Sequence, residues 1–412
     1  MTRPFSLLIK PTSADCNLRC AYCFYLKKSG LYAETKKHRM SDEVLEKMIS
    51  SYLATDQPVY AFGWQGGEPT LMGLEFFEKV IALQEKYGKG KTISNSLQTN
   101  GTLLDDTFAG HLAKYRFLVG ISVDGPAEIH DRYRRRADGS GTQEDVMKGM
   151  KCLERNQVDF NVLTLVNAAN VERSGEVYRY LCDLGIRFHQ YIPCVEFDRD
   201  GNRMPYAITG EQWGRFLCDV FDEWIKGDAY RVSVRLFDAI LNHMVNGSYS
   251  VCHMAGNCCQ YFVVEHNGDV YPCDFFVEKE KRIGNLLDSS WEDMQSSGKY
   301  HAFGQQKAEW NPLCYSCEYL TYCSGDCLKH RIYSGNHPEH MSWLCDGWKV
   351  FYRHALPRLK ELAEEFVHSS SGRGGDRAGI PGGRLFVDNK YERNELCYCG
   401  SGRKYKKCHG AY

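Results

Sequence analysis

The chain has 412 residues, of which 43% are hydrophobic and 25% are charged, and its formal net charge is −1. This near-neutral balance gives no reason to expect a polyanionic partner, so no nucleic acid is expected. No apolar run approaches the roughly 18 residues of a transmembrane helix, and residues 1–10 lack a cleavage-site pattern, so we expect a cytoplasmic protein with no membrane partner.

The first two-thirds of the chain alternates short apolar strands with amphipathic helices, which is typical of parallel β-α units. The predicted strands are Phe5–Lys10, Val59–Trp64, Thr92–Gln98, Phe117–Val123, Phe160–Val166 and Phe188–Ile192. The predicted helices are Ser41–Leu53, Leu74–Tyr87, Asp105–Lys114, Gln143–Asn156 and Glu172–Leu184. Six such units indicate an α/β fold built as a partial (β/α)6 TIM-like barrel, with functional groups on the loops that follow the strands.

The pattern changes after residue 200. Residues 209–247 have the periodicity of helices with one short strand between them, and a cysteine-rich region and a final helix, Trp348–Val367, come next. Residues 369–383 are rich in Ser, Gly and Arg, which is typical of a flexible linker. We therefore predict five segments: a barrel over 1–200, a helical connector over 201–250, a cysteine-rich domain with its helix over 251–367, a linker over 368–393 and a compact tail over 394–412.

The cysteine content stands out from an otherwise ordinary composition. Nineteen cysteines in a chain without a secretion signal are not expected to form disulfides, because the cytosol keeps thiols reduced. The cysteines that occur singly fit small buried hydrophobes; they are Cys152, Cys182, Cys194 and Cys218. The others fall into groups at 16–23, 252–273, 314–345 and 397–408, and such clustering indicates metal binding.

Cys16, Cys20 and Cys23 follow the first predicted strand with the spacing C-x3-C-x2-C. Three thiolates can bind three irons of a [4Fe–4S] cube and leave the fourth iron open, whereas a zinc knuckle would need a fourth ligand that is missing nearby. The spacing, with an aromatic residue before the last cysteine, resembles the signature of the radical SAM superfamily. The resemblance implies that S-adenosylmethionine (SAM) binds the open iron and is cleaved to a 5′-deoxyadenosyl radical.

The segment Gln65–Pro69 (QGGEP) follows the second strand and resembles the GGEP motif of that superfamily, which receives the SAM amino group. Gly66 and Gly67 would let the backbone approach closely, and Glu68 can accept a hydrogen bond from an ammonium. Arg134 is a candidate partner of the SAM carboxylate, because Arg makes paired contacts with such groups. It lies in a basic stretch, Arg132–Arg136, that also fits a solvated loop. The full set of candidate SAM contacts is Tyr22, Gly66, Gly67, Glu68, Pro69, Ser122, Asp124, Arg134 and Val195.

Without Cys259, the second and third cysteine groups supply eight thiols. Eight thiols are enough for two four-iron clusters or for two zinc sites, and their chemistry alone leaves both possibilities open. The phrases SLLIKP, CNLRCAYCFY, QGGEPTL, SLQTNGTL, VGISVDGP and VYPCDF, in this order, resemble the anaerobic sulfatase-maturating enzymes, whose C-terminal extension is a SPASM domain. The resemblance implies three [4Fe–4S] clusters in all, with one auxiliary cluster on Cys252, Cys258, Cys273 and Cys327 and the other on Cys314, Cys317, Cys323 and Cys345. Cys259 is an extra thiol that can exchange roles with Cys258.

The same resemblance implies the oxidation of a Cys or Ser side chain in an unfolded sulfatase polypeptide to Cα-formylglycine. The radical would remove a Cβ hydrogen, and Asp274, next to Cys273, would act as the general base. One electron would leave through the auxiliary clusters, and a donor such as flavodoxin or ferredoxin would supply the reducing electron. Candidate contacts to the peptide are Tyr25, Gln65 and Gln98, for which local hydrogen bonding is an equal alternative.

The tail carries a separate metal motif, Cys-x-Cys-x8-Cys-His, whose ligands are Cys397, Cys399, Cys408 and His409. Four such ligands fit tetrahedral zinc, and the phrase resembles the SEC-C motif of the SecA translocation ATPase. Four basic residues without an acidic one form a positive patch, for which we expect docking to a chaperone, a ribosome or a translocation partner. The alternative is a basic zinc knuckle with no partner.

Two other functions stay open at this stage. One is a radical SAM/SPASM maturase that modifies another peptide, for example by forming thioether bonds. The other is a non-catalytic zinc-binding or nucleic-acid-binding protein. Iron content separates the second case, because three four-iron clusters require about twelve irons per chain.

Overall fold

The computed structural model describes residues 3–333, 337 and 339–371. The chain divides into two compact units. The first comprises Met1–Val123, Ala127–Phe160 and Gly256–Glu309, and the second comprises Asp124–Pro126, Asn161–Ala255 and Trp310–Tyr412. The tail over 394–412, with its four predicted zinc ligands, lies outside the described residues.

The described residues form ten strands. In chain order they are β1 Ser6–Lys10, β2 Tyr60–Trp64, β3 Ile93–Thr99, β4 Leu118–Ser122, β5 Phe160–Val166, β6 Phe188–Pro193, β7 Ser233–Val234, β8 Tyr261–Glu265, β9 Asp269–Tyr271 and β10 Gly284–Asn285. The six strands predicted from the sequence are β1 to β6, and each predicted end is confirmed to within one residue.

The described residues also form thirteen α-helices. They are α1 Asp42–Leu53, α2 Leu74–Tyr87, α3 Asp106–Lys114, α4 Ala127–Tyr133, α5 Gln143–Arg155, α6 Ser174–Asp183, α7 Gly210–Ile225, α8 Arg235–Asn246, α9 Trp291–Ser296, α10 Gly298–Gln305, α11 Leu320–Cys323, α12 Leu328–Arg331 and α13 Cys345–Ser371. The five predicted helices are confirmed to within two residues. Ser41 caps α1, because its Oγ accepts a hydrogen bond from Val44 N at 3.2 Å. The final helix is longer than predicted, and α4 and the short helices α9 to α12 were not predicted.

Seven strands of the first unit pair in the order β10-β9-β8-β1-β2-β3-β4. β1 lies between β2 and β8 and is parallel to both, with Ile9 opposite Trp64 and Lys10 opposite Glu265. β2, β3 and β4 continue the parallel pairing, whereas β9 and β10 are antiparallel to their neighbours. Because the carboxyl ends of parallel strands meet at one edge, the segments after β1, β2, β3 and β8 all begin there.

In the second unit, β5, β6 and β7 are parallel, and α7, α8 and α13 enclose an apolar core around Trp213, Phe216 and Tyr352. α7 and α13 approach each other closely. A Cβ at Gly347 would lie 2.8 Å from the carbonyl carbon of Gly210, so a side chain does not fit there. The final helix is therefore part of this core. Within the described part of the chain, no helix is both long and apolar enough to cross a membrane.

Candidate active site

The loop that carries Cys16, Cys20 and Cys23 begins where β1 ends, and backbone hydrogen bonds fix its course. Arg19 N donates to Arg135 O at 2.7 Å, and Ala21 N donates to Tyr133 O at 3.0 Å. The basic stretch of the sequence therefore pairs with the cysteine loop along the backbone. A loop held in this way presents its three thiols in a fixed arrangement.

The environment of Cys16 is that of a metal thiolate. Its Sγ accepts hydrogen bonds from Leu18 N at 3.3 Å and from Asn100 Nδ2 at 3.7 Å. Burial raises the pKa of Cys16 to about 12, and the nearby Glu68, Cys20 and Cys23 act in the same direction. Iron would offset this penalty, since a coordinated thiol is deprotonated by the metal charge. Cys16, with two N–H donors to its Sγ and with Cys20 and Cys23 nearby, fits a ligand of a four-iron cluster.

The QGGEP segment lies directly against the cysteine loop. Gly67 N donates to Ser13 O at 2.7 Å, and Glu68 N donates to Asp15 O at 2.8 Å. A Cβ at Gly67 would lie 2.5 Å from the carbonyl carbon of Asp15, which is too close for any side chain. Gly66 has φ +138°, a conformation that L residues rarely adopt. Both glycines are therefore required by the fold of the site.

Glu68 is fully buried, and donors of its own chain surround its carboxylate. Oε1 accepts from Thr70 N at 3.0 Å, Thr70 Oγ1 at 2.6 Å and Thr99 Oγ1 at 2.7 Å. Oε2 accepts from Asn100 N at 2.8 Å. Burial raises the pKa of Glu68, although these hydrogen bonds oppose the shift. Glu68 therefore ties the loops after β2 and β3 together, and its contact with a SAM ammonium stays a prediction.

Arg134 and Tyr22, two predicted SAM contacts, lie together. Arg134 is 9% exposed, and its guanidinium donates to Tyr22 Oη at 3.0 Å. The solvated-loop reading of the basic stretch is therefore wrong for Arg134. A buried arginine beside the cysteine loop fits the recognition of a carboxylate, for which Arg is suited by its paired N–H groups.

The other predicted SAM contacts have different surroundings. Ser122 ends β4 in the first unit. In the second unit, the buried carboxylate of Asp124 accepts from Leu165 N at 3.1 Å and from Asn167 Nδ2 at 3.4 Å. The side chain of Val195 packs in the apolar core of that unit and is 2% exposed. Only its backbone is therefore suited to meet a ligand.

Asp274 lies within a group of side chains at the carboxyl edge of the sheet. Gln65 Nε2 donates to Asp274 Oδ2 at 3.2 Å, and Lys10 forms an ion pair with Asp274 Oδ1. The Lys10 ammonium lies 4.4 Å from the ring centroid of Tyr25, whose hydroxyl donates to the buried Glu265. Burial raises the pKa of Tyr25 well above its usual value, and Glu265 and Asp274 add to the shift.

The structure thus brings together three residues that the sequence predicted separately: Gln65, Tyr25 and Asp274. Sequence reasoning missed Lys10 and Glu265. The one signal for Lys10 was a lysine at the end of an apolar strand, next to a cysteine motif. Gln98, the remaining predicted peptide contact, is half-buried in β3, where the backbone pairs it with Gly120 of β4.

Cys258, Cys259 and Cys273, the members of the second group that belong to the first unit, lie near Tyr300. Burial raises the pKa of Tyr300, and Cys259, Cys258 and Cys273 contribute further. Cys259 Sγ donates to Tyr300 O at 3.4 Å and packs against Gly304, so this thiol is already satisfied. This arrangement favours Cys258 as the cluster ligand. Cys273 Sγ lies 3.5 Å from the hydroxyl of Tyr261.

The third group, which includes Cys327, lies in the second unit together with Cys252 of the second group. Burial raises the pKa of Cys345 to about 11, and Cys314 and Cys317 add to the shift, so these three thiols are neighbours. Cys323 ends α11 and packs partly against the apolar core. Cys327 follows three consecutive residues with left-handed backbone, at φ 46°, 70° and 61°. Two of the three are not glycine, and such strain is typical of functional sites.

The sixteen cysteines in the described part of the chain are all free thiols. Within these residues, no group of three or more His, Cys, Asp or Glu side chains converges closely enough for a single metal ion. Thiolates are ligands of structural zinc and of four-iron clusters alike, so the thiols by themselves do not decide between the two.

Family models match three parts of the chain. The model of the radical SAM superfamily matches residues 11–181, the SPASM model of an iron–sulfur cluster-binding domain matches residues 252–318, and the model of the SEC-C motif matches residues 393–411. The chain is therefore a radical SAM enzyme with a SPASM domain, and the predicted fold class is confirmed. The alternative of a non-catalytic zinc-binding or nucleic-acid-binding protein is wrong.

The relatives narrow this class. A serine-type anaerobic sulfatase-maturating enzyme of Bacteroides thetaiotaomicron is 36% identical over 387 residues, which cover 90% of this chain and 94% of the relative. A cysteine-type anaerobic sulfatase-maturating enzyme of Clostridium perfringens is 38% identical over 365 residues, which cover 87% and 98%. The solved structure of native anSMEcpe with bound AdoMet and Kp18Cys peptide has a TM-score of 0.83 at 38% identity and covers 88% of this chain and 100% of that chain. The chain belongs to the anaerobic sulfatase-maturating enzyme family.

Proposed function

We propose that this enzyme oxidises a Cys or Ser side chain of an unfolded sulfatase polypeptide to Cα-formylglycine. The relatives include both a cysteine-type and a serine-type enzyme, and anSMEcpe binds a peptide together with AdoMet. The observation that carries the proposal in this chain is the 3.2 Å hydrogen bond from Gln65 Nε2 to Asp274 Oδ2. It joins the QGGEP segment to the residue after Cys273, so a carboxylate lies beside the segments that resemble the radical SAM motifs.

The cofactors that we propose are SAM and three [4Fe–4S] clusters. Cys16, Cys20 and Cys23 would hold the first cluster, and the two sets of four cysteines that the family resemblance implies would hold the auxiliary clusters. When bound, these groups supply a 5′-deoxyadenosyl radical for hydrogen abstraction and a route for one electron. The N–H donors to Cys16 and the satisfied thiol of Cys259 support this assignment of ligands.

For SAM itself, we assign the amino group to the segment from Gly66 to Pro69 and the carboxylate to Arg134. The close approach of Gly67 to the cysteine loop and the burial of Arg134 support this choice. We assign contacts with the rest of the molecule to Tyr22, Ser122, Asp124 and Val195. Val195 would act through its backbone, because its side chain packs in a core.

Asp274 is the group that we assign to proton transfer. Its side chain is 18% exposed, with Oδ1 buried in the ion pair with Lys10 and Oδ2 accepting from Gln65. A carboxylate in this position can take the proton of a substrate thiol or hydroxyl. Gln65, Tyr25 and Gln98 are the residues that we assign to the peptide.

The oxidation balances as the loss of one hydrogen atom from Cβ, one proton to Asp274 and one electron. These losses together make a two-electron oxidation of the side chain. A serine side chain gives the aldehyde directly. A cysteine side chain gives a thioaldehyde, which water hydrolyses to the aldehyde with release of hydrogen sulfide.

Further partners follow from the same proposal. A flavodoxin or ferredoxin would supply the electron for SAM cleavage, and the enzyme would work in the cytoplasm, where its clustered free thiols stay reduced.

We propose that the SEC-C tail over 394–412 binds zinc through Cys397, Cys399, Cys408 and His409 and docks to a chaperone, ribosome or translocation partner. We also propose the segment boundaries given by the sequence as the domain boundaries.

The test is anaerobic incubation of the reconstituted enzyme with SAM, a strong reductant and sulfatase peptides that carry either Cys or Ser at the target position. Mass spectrometry should show a loss of about 18 Da from the cysteine peptide or about 2 Da from the serine peptide, which is the arithmetic of conversion to the aldehyde. Peptides in which Ala replaces the target residue serve as controls. Cleavage of SAM without either mass change would contradict the proposed substrate.

A further inference from the structure

Lys10 ends β1, and its side chain is 2% exposed. Lysine is almost never buried to this extent unless it is paired. Its ammonium forms an ion pair with Asp274 and lies 4.4 Å from the ring centroid of Tyr25. The charge is therefore held between a carboxylate and the face of an aromatic ring, two interactions that both favour a fixed position.

The stem of Lys10 is fixed as well. Its backbone lies opposite Glu265 in the pairing of β1 with β8. The QGGEP segment packs along the side chain of Lys10, since a Cβ at Gly66 would lie 3.3 Å from Lys10 Cδ and 3.5 Å from Lys10 Cα. The stem of Lys10 thus lies against the loop after β2, and its ammonium lies at Asp274.

Fold stability does not explain a lysine at this position. Removing a charge pair from water is unfavourable, and replacing a buried pair by apolar residues of similar volume is often neutral or stabilising. On the same face of β1, Leu8 packs against the apolar cluster that contains Tyr25, so an apolar residue could also occupy position 10. The pair therefore points to a role at the site.

We propose that Lys10 is a positioning residue that holds the Asp274 carboxylate in the orientation needed to take the substrate proton. The inference rests on the proposed function and deepens it. Lys10 holds Oδ1 and Gln65 holds Oδ2, so the plane of the carboxylate is fixed from both sides. The proton passes from the substrate S–H or O–H to a carboxylate oxygen, and no electron moves in this step.

The two substrate types should depend on Lys10 to different degrees. A hydroxyl is far less acidic than a thiol, so a serine side chain needs a well-oriented base more than a cysteine side chain does. If the Asp274 carboxylate loses its orientation, hydrogen abstraction from the substrate should continue. The yield of aldehyde per 5′-deoxyadenosyl radical should fall. The serine substrate should lose more than the cysteine substrate.

The experiment compares Lys10→Met with Lys10→Arg and wild type, and uses Lys79→Met as the matched control. Lys79 is exposed and pairs with Asp42, away from the site. The measured quantity is the ratio of formylglycine to 5′-deoxyadenosine formed, with the Cys peptide and with the Ser peptide. Iron content and melting temperature are measured on the same variants. We expect Lys10→Met to lower this ratio about tenfold or more with the serine peptide and less with the cysteine peptide, since small misplacements cost up to about a hundredfold. Lys10→Arg should restore part of the loss, and Lys79→Met should match wild type.

A double-mutant cycle separates positioning from a general structural effect. If Lys10 acts through Asp274, Lys10→Met should cause no further loss in an Asp274→Asn background. An unchanged ratio in Lys10→Met, or an additive loss in the double variant, would overturn the inference. Should Lys10→Met fail to fold, Lys10→Gln is read by the same criteria. Wild type that forms no formylglycine would contradict the proposed function, whereas active wild type with an unaffected Lys10→Met contradicts only the role of Lys10.

Discussion

Replacing Gly67 by Ala should disable SAM cleavage while leaving the protein folded. A Cβ at Gly67 would lie 2.5 Å from the carbonyl carbon of Asp15 and 2.7 Å from that of Ala14. Carbon atoms pack at about 3.5–4.0 Å, so the two loops must separate by about 1 Å. Both contacting atoms belong to the backbone, so a side-chain rotation cannot relieve the clash.

A displacement of about 1 Å at a reacting site can cost about a hundredfold in rate. We therefore expect Gly67→Ala to form 5′-deoxyadenosine about a hundredfold more slowly than wild type. The assay is chromatographic measurement of 5′-deoxyadenosine under anaerobic conditions, with iron content measured on the same samples. Gly30→Ala is the matched control, because a Cβ there meets nothing within 4 Å, and it should stay within about twofold of wild type. A wild-type rate in Gly67→Ala would refute the reasoning from close packing.

Two further predictions concern single side chains, Asp238 in the second unit and Tyr261 in the first. Burial raises the pKa of Asp238 to about 7 from its usual 3.8. The folded protein then binds more protons than the unfolded chain between these values, so stability should fall as pH rises from about 4 to about 7 and stay level above. Asp238→Asn removes this loss, so its melting temperature should exceed that of wild type by an amount that grows from pH 5 to pH 8; a constant difference would contradict the assignment. Tyr261→Phe removes the hydroxyl that lies 3.5 Å from Cys273 Sγ and should lower the reduction potential of the cluster on that thiolate. A redox titration followed by electron paramagnetic resonance should show no such change in Tyr87→Phe, whose hydroxyl bonds to Glu46 of α1, and equal potentials in both variants would refute the role of the Tyr261 hydroxyl.

The barrel strands and their helices were predictable because local patterns determine them. Short apolar runs such as Phe160–Val166 alternate with amphipathic stretches such as Leu74–Tyr87, and both are found with the predicted bounds. Helix α4 was missed because it is short and follows a Gly-Pro pair, and because its last turn overlaps a basic stretch that reads as solvated. The cysteine spacings and the QGGEP phrase were predictable as motifs, since their chemistry depends on residues that are close in sequence.

The contacts that organise the site were not predictable, because they join residues distant in sequence. Lys10 meets Asp274 across 264 positions, and one lysine at a strand end gives no sign of its partner. The burial of Arg134 depends on a backbone pairing with the cysteine loop. Glu68 has the residue type expected of an ammonium acceptor, yet the sequence does not show that Thr70 and Thr99 already occupy its carboxylate.

A variant in which Ala replaces Cys16, Cys20 and Cys23 together tests whether these thiols hold the reactive cluster. We expect about twelve irons per chain in the reconstituted wild type and about eight in the variant, because only the auxiliary clusters remain. The variant should form no 5′-deoxyadenosine from SAM under strong reducing conditions. A variant that still cleaves SAM would show that these three thiols do not hold the reactive cluster.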